Sequence, residues 1–273
     1  MSFARVGPEA LDYKPCRYEG SAMTFRGPKA RFEEGMVLCL GGSETFGKFV
    51  TDPFPDRLAR RIGRPVVNMG AVNAGVDLIL HDEAIKAALA KASAVVLQVP
   101  GAANLSNRFF TVHPRRNDRF VKASTMMRTI YREVDFTEFH FTRHMLSALK
   151  ARSEDRFAVV VEELRAAWSA RMGLLLSRIE VPVHLLWVSR RAPADGPPPG
   201  AELGDDPLFV DQAMLSALEP MVSSVTICCL PPDQRAPRER GMMHGRGEEQ
   251  AARLMPGPSD HDRVSALLAA RLS

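Results

Sequence analysis

Three short apolar runs that each break at glycine, Met36–Leu40, Pro65–Met69 and Ala94–Val99, lie between residues 36 and 101 and leave this chain few folds to adopt. A continuous apolar run of this length reads as a strand buried on both faces, and such strands occur in parallel sheets covered by helices on each side. The intervening segments supply the helices. Pro55–Ile62 is stopped by Gly63, and in Asp77–Lys91 the residues Leu80, Ile85, Ala88 and Leu89 recur at helical spacing. Val183–Val188 and Val222–Leu230 read as a fourth and fifth strand, with Phe157–Ile179, Pro207–Leu218 and Asp260–Leu272 as further helices. The pattern predicts a flavodoxin-like three-layer α/β sandwich with about five parallel strands.

Residues 105–156 break the alternation and are rich in arginine. They are expected to form a helical, lid-like insertion between strands three and four, over the carboxyl edge where open α/β sheets bind ligands. The whole chain, 1–273, reads as one domain, since a chain near this length can bury roughly 75% of its unfolded surface without staples. Its composition supports an ordinary globular protein, with 45% hydrophobic and 25% charged residues. Lys+Arg number 36 against Asp+Glu 32, too even a balance for a nucleic-acid partner to be expected. Cys16, Cys39, Cys228 and Cys229 fit neither a metal knuckle nor a disulfide framework, and no apolar run suggests a secretory signal or a membrane span. A cytoplasmic protein with reduced thiols is the expectation. Ala192–Gly200, with four prolines, reads as a linker.

At the end of the first strand stands Gly41-Gly42-Ser43-Glu44-Thr45-Phe46-Gly47. A serine at a strand-to-helix turn has its hydroxyl lifted beside exposed backbone donors, which suits either a nucleophile or a helix N-cap. Gly42–Lys48 also spells the phosphate-cradling G-x-x-x-x-G-K, but Phe49 follows where a magnesium-binding hydroxyl is needed, so nucleotide hydrolysis is disfavoured.

Taken together, the strand ends present Ser43, then Asn68-Met69-Gly70, then Gly101-Ala102-Ala103-Asn104, and His261 precedes or opens the last helix. In this order of blocks the chain resembles the SGNH (GDSL-type) hydrolases. The resemblance implies an ester hydrolase or acyltransferase with Ser43 as nucleophile, His261 as base, and the Gly70 N–H and the Asn104 amide stabilising the oxyanion. The segments 42–48 and 104–120 are also similar to an uncharacterised bacterial family placed near that fold. Three positions depart from the SGNH pattern: Gly42 replaces an aspartate, Pro258 stands where the acid three residues before the histidine belongs, and one extra residue separates Gly101 from Asn104. A chain that keeps the fold and binds an anionic ligand or a protein partner is therefore the competing reading.

Arg108, His113, Arg115 and Arg116, with Asn73 beside the presumed oxyanion hole, are the candidate substrate-binding residues, because guanidinium groups bind carboxylate, phosphate or sulfate bidentately. They fit an anionic or carbohydrate-linked ester as substrate. The alternative is that these arginines pair with acids such as Asp118, Glu133 and Asp135. No cofactor is expected, and no metal, since His140 and His144 are four apart but lack a third ligand. Cys228-Cys229 reads as small core filling.

Overall fold

The structure is a computed structural model and describes residues 10–196, 202–230 and 240–272. Its strands are β1 (Met36–Gly41), β2 (Val66–Gly70), β3 (Ala92–Gln98), β4 (Phe110–His113), β5 (Arg116–Ala123), β6 (Val183–Ser189) and β7 (Ser224–Cys229). Its helices are α1 (Ser43–Phe46), α2 (Phe54–Ile62), α3 (Val76–His81), α4 (Glu83–Leu89), α5 (Thr125–Ile130), α6 (Thr142–Arg152), α7 (Glu154–Ser177), α8 (Gln212–Ser216), α9 (Glu249–Arg253) and α10 (Pro258–Leu272). Five strands pair in parallel in the order β2-β1-β3-β6-β7, the flavodoxin-like order, and it reverses between β1 and β3.

Alternation along each strand builds two cores. Leu38 and Leu40 of β1, Leu97 of β3 and Trp187 of β6 face the layer containing α3, α4 and α7. Val37 and Cys39, with Val96, Leu186 and Cys228, face α2 and α10, where Phe54, Leu58 and Leu268 close the opposite layer. Both faces are thus covered, which is why the strands read as unbroken apolar runs.

Three local readings change. The helix expected over Asp77–Lys91 is two helices, because Asp82 accepts hydrogen bonds from the N–H groups of Ala84 and Ile85 and so caps a new start. The helix expected from Pro207 begins only after Asp211, whose carboxylate accepts from Met214 N, and ends at Ser216. The segment between β3 and β6 carries, besides α5, α6 and α7, the antiparallel hairpin β4–β5. Cys228 is buried and Cys229 partly so, both as free thiols. His140 lies ahead of α6 rather than on it, so it does not share a helical face with His144, and the described residues contain no group of three or more potential metal ligands. Among the described residues no helix is long and apolar enough to cross a membrane. Residues 197–200 of the proline-rich stretch lie outside the described residues.

Candidate functional site

The strand order reverses between β1 and β3, the kind of position where open α/β sheets bind ligands, and the loops meeting there come from β1, β2, β3 and the hairpin. Their close approach depends on small residues. A Cβ at Gly70 would lie 2.3 Å from Phe46 N, so only glycine lets α1 sit on the end of β2. At Gly75 a Cβ would lie 2.2 Å from the Asn104 carbonyl oxygen.

Ser43 is the first residue of α1 and is buried, with Gly42 rather than Ser43 at the cap position. Its hydroxyl donates to Asn73 Oδ1 at 3.2 Å and accepts from Asn73 N at 3.2 Å. Asn73 has φ 57°, a left-handed conformation that asparagine tolerates better than most residues. Its Nδ2 donates to Asp118 Oδ2 at 3.1 Å. Because a carboxylate accepts, that contact fixes the amide orientation and turns Oδ1 toward the serine. One residue earlier, Asn117 Oδ1 accepts from Gly75 N at 3.0 Å while its Nδ2 donates to the His113 carbonyl at 3.1 Å. Two adjacent residues of β5 therefore pin the hairpin to the loop that holds Ser43.

On the other side, Asn104 Oδ1 accepts from Thr142 Oγ1 at 2.7 Å, which turns the amide nitrogen away from Thr142. Gln98, at the end of β3, accepts through Oε1 from Gly42 N, Thr45 N and Thr45 Oγ1, so its Nε2 has one direction left and donates to Glu44 Oε2 at 2.6 Å.

The other two SGNH-type positions are engaged elsewhere. The Gly70 N–H donates to Asn68 Oδ1 at 2.9 Å. His261 is 1% exposed, in the first turn of α10, with its ring stacked on Phe54 and its Nδ1 accepting from Phe54 N at 3.0 Å. With the lone pair of Nδ1 used in this way, the neutral ring carries its proton on Nε2, which is buried without a hydrogen-bond partner. Burial, followed by the charges of Arg57 and Arg26, pushes the imidazole down to about 3, against an opposing effect of Asp52. Asp260, its neighbour, accepts from Gly257 N instead. Among the described residues no hydrogen bond joins Ser43 to His261.

The arginines divide. Arg108 is held by Glu163 of α7, with Nε donating to Oε2 at 2.6 Å and the backbone N to Oε1 at 3.0 Å. Arg115 and Arg116, at the tip of the β4–β5 hairpin, are exposed and form no ion pair among the described residues. Of the acids that sequence reasoning offered as their partners, Glu133 pairs with Arg156, while Asp118 accepts from the Asn73 amide and Asp135 from Thr137. His113 Nδ1 accepts from Arg115 N, which shapes the turn. Sequence reasoning gave no site role to Glu44, Gln98, Asn117 and Thr142, and took Asp118 only as an acid for the arginines. Glu44 stood inside the glycine-serine block and Asn117-Asp118 directly after the arginine pair, the only signals that could have found them. A cavity of about 1180 Å³ lies between α7 and the connection around Arg191, Phe209 and Asp211, and its lining includes none of Ser43, Asn73 and Asn104.

A family model described as a domain of unknown function, DUF6473, matches residues 1–273. No curated protein matches the chain. Among solved structures, the lipase Lip_vut3 from a goat rumen metagenome is similar at 11% identity and a TM-score of 0.40, over 87% of this chain and 97% of that one. A putative lipolytic protein of the G-D-S-L family from Desulfitobacterium hafniense DCB-2 is similar at 12% identity and a TM-score of 0.43, over 87% and 99%. With TM-scores this low the likeness does not bear on chemistry, and the strand order is what defines the fold.

Proposed function

Because the chain belongs to the DUF6473 family, whose function is unknown, its role rests on the site, and we propose that the carboxyl edge around Ser43 binds an anionic ligand without Ser–His chemistry. The observation that carries this reading is the connection from Ser43 through Asn73 to Asp118, on the hairpin whose tip carries Arg115 and Arg116, two exposed arginines without an ion pair among the described residues. A ligand carboxylate, phosphate or sulfate would take Arg115 and Arg116 bidentately, with the Ser43 hydroxyl and the Asn104 amide as neutral hydrogen-bonding groups behind them. The neutral, inward-turned His261 supports the same reading. A ring whose acceptor nitrogen already holds a backbone N–H is a poor base for a serine.

Millimolar sulfate or phosphate is therefore expected to raise the melting temperature. At about tenfold over Kd the gain is ~1.4 kcal/mol, or roughly 3–5 °C for a chain of this size. The double variant Arg115→Ala/Arg116→Ala should abolish the rise while melting at an unchanged temperature in anion-free buffer. An undiminished rise in that variant would show that the anion binds elsewhere.

The second reading is an SGNH-like hydrolase or acyltransferase acting on a small or carbohydrate-linked ester, and the place of Ser43 at the strand-to-helix turn beside the reversal of strand order favours it. Ser43 Oγ would attack the ester carbonyl and His261 would take its proton and hand it to the leaving alcohol. The Gly70 N–H and the Asn104 amide would hold the oxyanion, and water or an acceptor alcohol would then remove the acyl group. This reading requires His261 to release the Phe54 N–H and Gly70 to release Asn68 before either can act.

A further inference from the structure

A cavity of about 560 Å³ opens between the carboxyl ends of β6 and β7 and the start of α6, a size ordinary for small-molecule sites; Leu203, Gly204 and Asp205 line both it and the larger cavity beside α7. Leu203, Leu254 and Met255 give it apolar walls. Four of its charged lining residues cancel in pairs, Arg143 with Asp206 and Arg190 with Asp205. Arg143 is held further by the Gly204 carbonyl, to which it donates at 3.0 Å. Glu44 and Glu202 also line the cavity, and neither forms an ion pair among the described residues.

Of the two, Glu44 is the fixed one. Gln98 Nε2 donates to its Oε2 at 2.6 Å, and that amide cannot flip, because its oxygen already receives three donors from Gly42 and Thr45. An oriented carboxyl facing apolar walls, with the nearby cations already neutralised, is complementary to a positive charge on an aliphatic body. We infer that this cavity binds a small organic ammonium ion, with Glu44 as its counter-ion. Glu44 is held above its ordinary carboxylate range by burial, with the charge of Asp206 adding to this against the pull of Gln98, and the charge of a bound ammonium ion would oppose both by favouring the ionised carboxylate. The cavity holds neither Ser43 nor the arginine hairpin, so the inference stands apart from the anion reading.

Titration of the full chain with n-hexylammonium chloride, read by melting temperature and by calorimetry, tests it, with n-hexanol and sodium hexanoate as matched probes. Saturable one-to-one binding of hexylammonium is expected, at least ~10-fold weaker in Glu44→Gln, with hexanol and hexanoate both weaker than the amine in the wild type. A second variant, Leu254→Trp, fills the rim of the cavity while leaving Glu44 in place and should lower hexylammonium binding to a similar degree. It provides the reading if Glu44→Gln does not fold. Hexanol binding as tightly as hexylammonium, no saturable binding of hexylammonium, or hexylammonium affinity unchanged in the variants would overturn the proposal.

Discussion

Arg26→Ala is expected to lower stability by about 3–5 kcal/mol, enough to bring the melting temperature down by roughly 8–15 °C. The Arg26 guanidinium is 9% exposed and donates to four backbone carbonyls on the connection between α1 and α2: Phe46 at 3.4 Å, Gly47 at 2.9 Å, Val50 at 2.9 Å and Thr51 at 2.8 Å. Phe46, Gly47 and Val50 are buried and Thr51 is exposed, none of these carbonyls has a ladder partner, and Gly47 ends α1 in the left-handed conformation, so the loop has little regular structure of its own. One planar fork supplies the donors that a strand would otherwise provide, and its face lies over the Tyr13 ring. Arg26→Lys keeps the charge but offers a point donor in place of a fork, and should fall between wild type and alanine. Since this loop follows directly from Ser43, the alanine variant should also weaken any ligand response at the carboxyl edge. Chemical denaturation of the three proteins checks the order. An alanine variant within ~1 kcal/mol of wild type would show that water satisfies these carbonyls equally well.

The second large effect is an acid limb to the stability curve that belongs to His261. Its folded-state value is depressed to about 3 from an ordinary 6.5, so the unfolded chain takes up the proton first. The stabilisation is therefore complete above pH 6.5 and is lost progressively as pH falls toward 3, by an amount on the order of a few kcal/mol. Protonation would place a second donor opposite the Phe54 N–H and a buried charge beside Arg57 and Arg26. Carboxylates titrate over the same range, so the difference between two proteins is the informative quantity. His261→Asn retains an acceptor for Phe54 N but cannot ionise, and should remain flatter than wild type between pH 6.5 and 3. Parallel curves for the two proteins would mean that His261 titrates normally and is not held as described.

The parallel sheet was legible because its strands are buried on both faces, so Met36–Leu40 and Ala94–Val99 are apolar without interruption. The β4–β5 hairpin was not. Its register shifts on both sides of Val112 and breaks the period-two pattern, and its large buried apolar residues, Phe110 and Val112 on one strand and Phe120 on the other, are separated by an arginine-rich turn. Asp82 and Asp211 cut longer periodic segments into shorter helices, because a single capping carboxylate outweighs a few residues of weak periodicity.

At the site, sequence order brought Ser43, Asn73 and Asn104 to one edge, since each follows a strand of the same sheet. It could not show that Asn73 would reach Asp118, 45 positions away in a different element. Nor could it show the direction of the His261 ring. Pro258 begins α10, a favoured position for proline, so His261 falls inside the first turn and faces α2. The same substitution that removes the expected acid also sets where the helix starts. Arg108 and Arg115 look alike in sequence, yet Glu163 claims the first and, among the described residues, no acid claims the second.

The claim that Ser43 is a hydrogen-bonding group and not an activated nucleophile is tested most directly by a fluorophosphonate probe, read by intact-mass spectrometry of the folded protein beside Ser43→Ala. The wiring of Ser43 to Asn73 and of His261 to Phe54 predicts that wild type and Ser43→Ala remain equally unlabelled, with no hydrolysis of short-chain p-nitrophenyl esters above background. Stoichiometric modification at Ser43, absent from the alanine variant, would contradict it and establish the acyl-transfer reading in its place.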